Sequence, residues 1–286
     1  MCCLFGILDY KNSLSDRQKR QILSVLSIAC EARGTDASGI AYRSGNQLCI
    51  YKRPLPAHLL HFRVPAETGY IMGHTRMTTQ GSEQRNCNNH PFPGRAGGVS
   101  FALAHNGVLY NDKELRRSEK LSVTDIETDS YVAVQLIERY DEVDFAALRF
   151  MAEQVRGSFT FTILDSRNTF YVVKGSNPFC LYHWRKRGLY LYASTEGILR
   201  NALKQLPFSL GRPERIFLEE GDLLRIDSEG RRSMEFFQPQ PSFSQRQDYA
   251  DIWEDSYGWT PEEVDWLIRE GVTQEEIDAY FYCGEV

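Results

Sequence analysis

A cysteine stands second in the chain, in the opening "MCCLFG". Cysteine is small enough for the initiator methionine ahead of it to be removed. Cys2 would then carry both a nucleophilic thiol and its own potential base, the free α-amine. Reference pKa values of about 8.5 for the thiol and about 8 for the amine are closely matched, so the proton can pass between them without a histidine. Such a nucleophile still needs a strand to hold it, donors for a developing oxyanion, and groups that grip the substrate. "GHTRMTTQG" places Arg76 just past an expected strand end, where a guanidinium can clamp a carboxylate. "AHNGVLYN" ends another expected strand in Asn106-Gly107, whose side-chain and backbone N–H groups suit an oxyanion. "ETDSYV" puts Asp129 in the expected first turn of a helix, where its charge is favoured and can receive an ammonium. Each has an ordinary reading when taken singly: an incidental thiol, a surface charge, a turn signal, a helix-start residue. Only their combination is informative.

The elements that must position these residues follow from periodicity. Cys3 to Leu8 is a short apolar run that reads as a buried strand, with Cys3 facing the core. Ser15 offers an N-cap for a helix carrying Ile22, Val25, Leu26 and Ala29. "SGIAYRSGNQLCIYKR" predicts a hairpin turning at Ser44-Gly45-Asn46. Strands are expected at Tyr70 to His74 and Ser100 to His105, separated by a loop rich in Gly, Asn and Pro; so long a loop inside a compact domain is usually functional. Helices are expected at Thr128 to Arg139 and Asp144 to Val155, then several β-rich segments up to about residue 227. Strands, helices and strands again predict sheets with helical layers outside them. Near Gln238 the pattern dissolves into "QPQPSFSQRQ", a linker by composition, followed by two Thr-capped helix starts at Thr260 and Thr273.

Composition narrows the function classes. No apolar run approaches the roughly 18 residues of a membrane span, and the start has no secretory signal, so a membrane partner is not expected. Seven cysteines without C-x-x-C spacing predict reduced thiols in a cytoplasmic protein and no metal site. Acylation of Cys2-Cys3 as an anchor lacks the second signal that stable anchoring needs. The net charge of −5 hides an asymmetry: residues 246–286 hold twelve Asp/Glu against two Arg, and three of the four tryptophans. With no basic stripe and an acidic tail, nucleic acid is not an expected partner.

Six blocks, "MCCLFG", "RGTDASGIA", "GHTRMTTQG", "NNHPF", "AHNGVLYN" and "ETDSYV", resemble in content and order those of the class II glutamine amidotransferases, and the likeness extends over about residues 2 to 235. The resemblance implies an α+β fold, the four-layer αββα sandwich of N-terminal-nucleophile hydrolases. A glutaminase domain would cover residues 1–237, followed by a linker and short helical tail over 238–286. It implies that Cys2 attacks the side-chain amide of glutamine, releasing ammonia and leaving a thioester that water hydrolyses, with no cofactor. Asn106 and Gly107 would form the oxyanion hole, Arg76 would hold the α-carboxylate, Asp129 the α-ammonium, and Thr79 would contact substrate. Arg33, Gly39 and His74 would play supporting roles; His74, His90 and His105 are expected to be structural hydrogen-bonding residues. Met77 and Gln80 depart from the aromatic residue and histidine frequent there, so the lid over glutamine is expected to close differently. Residues 238–286 are too few for an acceptor enzyme. Ammonia is therefore expected to pass to a separate partner, or the protein simply deamidates; the acidic, aromatic tail suits a docking element, but equally a small satellite core or a segment folded back on the net-positive body. The competing readings are an amidohydrolase of γ-glutamyl or other amides without transfer, and a non-catalytic regulatory binding protein.

Overall fold

The computed structural model describes residues 2–239; the tail expected from residue 238 lies, beyond Pro239, outside the described residues. The chain opens with β1 (Cys3–Asp9), α1 (Asp16–Ala29), β2 (Ala37–Ser44), β3 (Gln47–Arg53), β4 (Tyr70–Arg76), β5 (Phe92–Ala96) and β6 (Val99–Leu109). Three helices follow, α2 (Asp112–Ser118), α3 (Tyr131–Tyr140) and α4 (Phe145–Gln154). Next come β7 (Gly157–Asp165), β8 (Phe170–Lys174), β9 (Cys180–Trp184), β10 (Leu189–Ala193) and α5 (Glu196–Lys204). The described chain closes with β11 (Glu214–Ile216), β12 (Asp222–Ile226) and β13 (Arg232–Phe236).

The strands form two antiparallel sheets. One runs β11-β9-β10-β1-β4-β2-β3, the other β13-β12-β8-β7-β6-β5. Side-chain alternation explains the layering. Along β1, Leu4 and Leu8 meet Ala102, Ala104, Leu164 and Val172 between the sheets. Cys3, Phe5 and Ile7 point the other way, into a core shared with Ile22 and Leu26 of α1 and Leu199 of α5. The outer face of the second sheet packs Phe101, Leu103 and Phe161 against Leu136 of α3 and Leu148 of α4. The result is the expected αββα arrangement. Because β1 is buried on both faces, its sequence reads as a continuous apolar run rather than an alternating one.

Local signals account for much of this. Ser15 caps α1 in a full capping box, accepting from the Gln18 N–H while Gln18 Oε1 accepts from the Ser15 N–H at 3.0 Å. The β2–β3 hairpin turns at Gly45-Asn46, with Gly45 at φ +56. Two expectations outside the site's own strand need correction. The segment between β4 and β6 is not wholly irregular, because Phe92–Ala96 pairs with β6 as an edge strand. An edge position tolerates Pro93, and burial alternates, with Phe92 and Ala96 inside. Asp129 does not lie in the first turn of α3 either. The helix begins at Tyr131 with Ser130 as its cap residue, and a tight turn carries Thr128 and Asp129 up to it.

Candidate active site

The pairing of β1 with β4 sets Cys3 opposite Thr75, so Cys2 emerges beside the end of β4 that carries Arg76. The Cys2 thiol donates to the Met77 carbonyl at 3.5 Å. Burial pushes this thiol up from its ordinary value, and the Met77 contact and the Arg76 guanidinium offset that only in part. With its pKa raised, the Cys2 thiol is protonated near neutral pH.

One pocket brings Cys2 together with Arg76, Thr79, Gly107 and Asp129, and with Met77, Gln80, Ser130, His90 and His105. Asn106 is fully buried next to Gly107 on β6. The strand does not end at this pair as expected; it continues to Leu109, with Asn106 opposite Thr160 and Gly107 opposite Phe159 on β7. Gly107 has φ +145, and a Cβ there would lie 1.9 Å from the Ser158 carbonyl oxygen, so only glycine lets the two strands approach so closely.

Arg33 connects the two sheets behind the thiol. Its Nε donates to the Cys2 carbonyl at 2.9 Å and its Nη2 to Asn106 Oδ1 at 3.4 Å. With Oδ1 facing Arg33, the Asn106 Nδ2 amide is a buried donor without a partner among the described residues. Asn177 Nδ2 donates to the Asn106 carbonyl at 2.9 Å and steadies the same residue from β7's side. Gly39 lies on β2 opposite His74, where a Cβ would come 2.4 Å from the His90 carbonyl oxygen. His74 Nε2 donates to the His105 carbonyl at 2.9 Å. Burial pulls the His74 pKa down to about 3 and that of His105 to about 4, so both rings are neutral at neutral pH. The hydrogen-bonding role expected of His90 is not borne out: neither of its ring nitrogens has a partner among the described residues, because the ring is buried against His74 and Phe92.

The two groups expected to hold the substrate's charges are both buried. Asp129 Oδ2 accepts the Leu109 N–H at 2.6 Å, and its Oδ1 accepts the Ser130 hydroxyl at 3.2 Å. Ser130 Oγ lies 2.7 Å from His105 Nδ1. Since the hydroxyl donates to Asp129, the ring nitrogen is the donor in that contact. Arg76 donates to Asn89 Oδ1 at 2.7 Å and to the carbonyls of Gln80 and Gly81 at 2.7 and 2.8 Å. The loop after β4 is therefore folded down on the guanidinium. It is also held by Asp36, whose Oδ2 accepts the Thr78 N–H at 2.7 Å. Among the described residues no cluster of His, Cys, Asp and Glu suits a metal ion.

Sequence reasoning assigned no role to Asn88, Asn89, Asp36, Glu127 or Asn177, although "NNHPF", "RGTDASGIA" and "ETDSYV" contain four of them. Their contacts join residues far apart in the chain, and no local pattern announces such pairing.

Residues 74–201 match the family described as "Glutamine amidotransferase domain", a span that includes Arg76, Asn106, Gly107 and Asp129. The chain carries a class II glutamine amidotransferase domain. Over 192 residues it is 30% identical to the glutamine–fructose-6-phosphate aminotransferase (isomerizing) of Staphylococcus aureus, a match covering 63% of this chain and 30% of that protein. The corresponding protein of Halalkalibacterium halodurans is 33% identical over 184 residues, covering 60% of this chain and 29% of the relative. The amidotransferase domain thus spans less than a third of these relatives' length. Its fold is shared with the glutamine phosphoribosylpyrophosphate amidotransferase of B. subtilis, at a TM-score of 0.66 and 22% identity, over 84% of this chain and 50% of that one. No helix among the described residues is long and apolar enough to cross a membrane.

Proposed function

We propose that this domain hydrolyses the side-chain amide of glutamine to glutamate and ammonia, with Cys2 as the N-terminal nucleophile after removal of Met1. The thiol proton passes to the freed α-amine, and sulfur attacks the carboxamide carbon. The Asn106 Nδ2 and Gly107 N–H donors receive the oxyanion. The α-amine then protonates the departing nitrogen, ammonia leaves, and water cleaves the γ-glutamyl thioester with the amine again as base. Arg76 takes the α-carboxylate, Asp129 the α-ammonium, and Thr79 contacts the substrate from the loop. Arg33, Gly39 and His74 hold the nucleophile and its surroundings in place.

The observation that carries this reading is the convergence of Cys2, a buried cation, a buried carboxylate and Gly107 in one pocket, from four separate segments. The raised thiol pKa fits a nucleophile that depends on a base released by processing. The reading extends to an acceptor enzyme that receives the ammonia, docked through the acidic, tryptophan-bearing residues 246–286. It also extends to a reducing cytoplasm. The six described cysteines are free thiols, including Cys3 and Cys30, whose sulfurs approach to 3.0 Å.

Intact mass and glutamate release test the core of the proposal. Wild type is expected to lack Met1 and to release glutamate from glutamine, and Cys2→Ala to lose that activity. Retention of Met1 in active protein, or glutamate release surviving in Cys2→Ala, overturns it.

A further inference from the structure

Arg76 and Asp129 lie on different elements, yet a short bridge of side-chain contacts, linked through the backbone of Asn88-Asn89 and of residues 127–129, joins them. Asn89 Oδ1 accepts from Arg76 Nη1 at 2.7 Å, and its own amide donates to the Glu83 carbonyl at 2.8 Å. The preceding residue, Asn88, is fully buried and turns to the opposite partner. Its Nδ2 donates to Glu127 Oε2 at 2.7 Å, while its Oδ1 accepts the Glu127 N–H at 2.9 Å. This reciprocal pair fixes both the side chain and the backbone of the residue two positions before Asp129. Two further contacts converge on Glu127. Gln80 Nε2 donates to its carbonyl at 2.9 Å, and Arg85 pairs with its carboxylate. Gln80 in turn offers its own carbonyl to Arg76 Nη2 at 2.7 Å. The amide of Asn88 and the guanidinium of Arg85 hold the Glu127 carboxyl below the usual carboxylate range, with Asn88 the larger influence.

We infer that Glu127, paired with Asn88, is a positioning residue that sets the separation between Arg76 and Asp129. It thereby makes the pocket selective for substrates bearing a free α-ammonium and α-carboxylate on one carbon. The inference rests on the glutamine reading above. Its physical basis is that two charges recognise a small zwitterionic head group only at the right spacing, and that spacing is held by the groups behind them. Glu127 is itself exposed and touches no reacting atom, so its replacement alters the frame and leaves the thiol's surroundings intact.

The test compares full-length wild type, Glu127→Ala and Glu127→Gln by two readouts. The first is kcat and KM for glutamine. The second is the rate at which Cys2 is modified by two electrophiles: a diazoketone analogue of glutamine, which carries the head group, and iodoacetamide, which does not. For Glu127→Ala we expect KM to rise about tenfold with kcat within about twofold, analogue labelling to slow about tenfold, and iodoacetamide labelling to stay unchanged. Glu127→Gln keeps an oxygen for the Asn88 amide and is expected to stay within about threefold of wild type on every measure. Unchanged KM and analogue preference in Glu127→Ala overturn the inference while leaving the glutamine reading intact. An equal slowing with both electrophiles also overturns it, because it reports damage at Cys2 rather than lost head-group recognition. If wild type shows no preference for the analogue over iodoacetamide, the glutamine reading itself fails and this inference falls with it.

Discussion

At the scale of single residues, the amide of Asn106 is the sharpest commitment in the site. A buried donor without a partner is costly, by roughly 1–3 kcal/mol, and persists where some other species completes it. Arg33 determines which end of the amide is left unpaired, because a guanidinium can only donate and so takes Oδ1. Asn106→Ala is therefore expected to lower kcat by about 10²- to 10³-fold with little change in KM, as for loss of one oxyanion donor. Steady-state glutaminase kinetics check this, and a rise in KM at constant kcat would place Asn106 in substrate binding instead. These residues were all visible in the sequence as types, since Arg, Asn-Gly and Asp occur in short recognisable blocks. What was not visible was their burial. A sequence places Arg76 beside a strand, but only the folded chain shows its guanidinium already bonded to two loop carbonyls and an asparagine.

At the scale of elements, local chemistry was the better guide where a cap or a periodic run announced itself. The α1 helix illustrates this: the serine cap, the Gln18 partner and the apolar stripe of Ile22 and Leu26 are all written within a dozen residues. Replacing Ser15 with Ala removes one half of the capping box and is expected to cost about 1 kcal/mol, measurable as a lower urea midpoint at unchanged m-value. Because α1 covers the helix-side face of β1, the loss reports on the layer that holds this strand without touching the pocket. The element that escaped sequence reasoning, β5, did so for an equally physical reason. A five-residue stretch holding Pro and Gly has poor strand propensity, and it is ordered by pairing with β6 rather than by preference of its own. The start of α3 was misplaced by a few residues because "ETDSY" contains several competent cap residues, and tertiary contacts of Asp129 with Leu109 selected among them.

At the scale of the whole molecule, burial of neutral imidazoles ties stability to pH. His74, His90 and His105 all have pKa values below that of a free imidazole, and burial is the largest cause in each case. The unfolded chain therefore binds more protons than the folded one as pH falls below about 6.5, and stability is lost progressively on acidification. For His74, held down to about 3, and His105, held to about 4, the loss between pH 7 and pH 5 is roughly 2 kcal/mol each. Denaturant melts at the two pH values measure it. His90 packs at tilted angles against His74 and Phe92, and neither of its ring nitrogens has a partner among the described residues, so His90→Phe retains the packing and is expected to show a shallower acid loss than wild type. An identical pH slope in the variant would remove His90 from this account.

Several features were determined by the sequence alone. These were the two-sided burial of the first strand, the helical layers around sheets, the order of the chemistry-bearing blocks, and the compositional break near Gln238. All of these depend on residues close together in the chain, where periodicity, caps and turn chemistry leave a readable trace. Only the tertiary structure decided that Cys2 meets Arg76, through the β1–β4 register, and that Arg33 spans from the Cys2 carbonyl to Asn106 in the opposite sheet. It alone paired Asn88 with Glu127, thirty-nine positions apart. Hydrogen bonds of this kind are made by polar groups with no favoured spacing in sequence. They exist because burial leaves those groups no water, and the fold decides which partner is within reach.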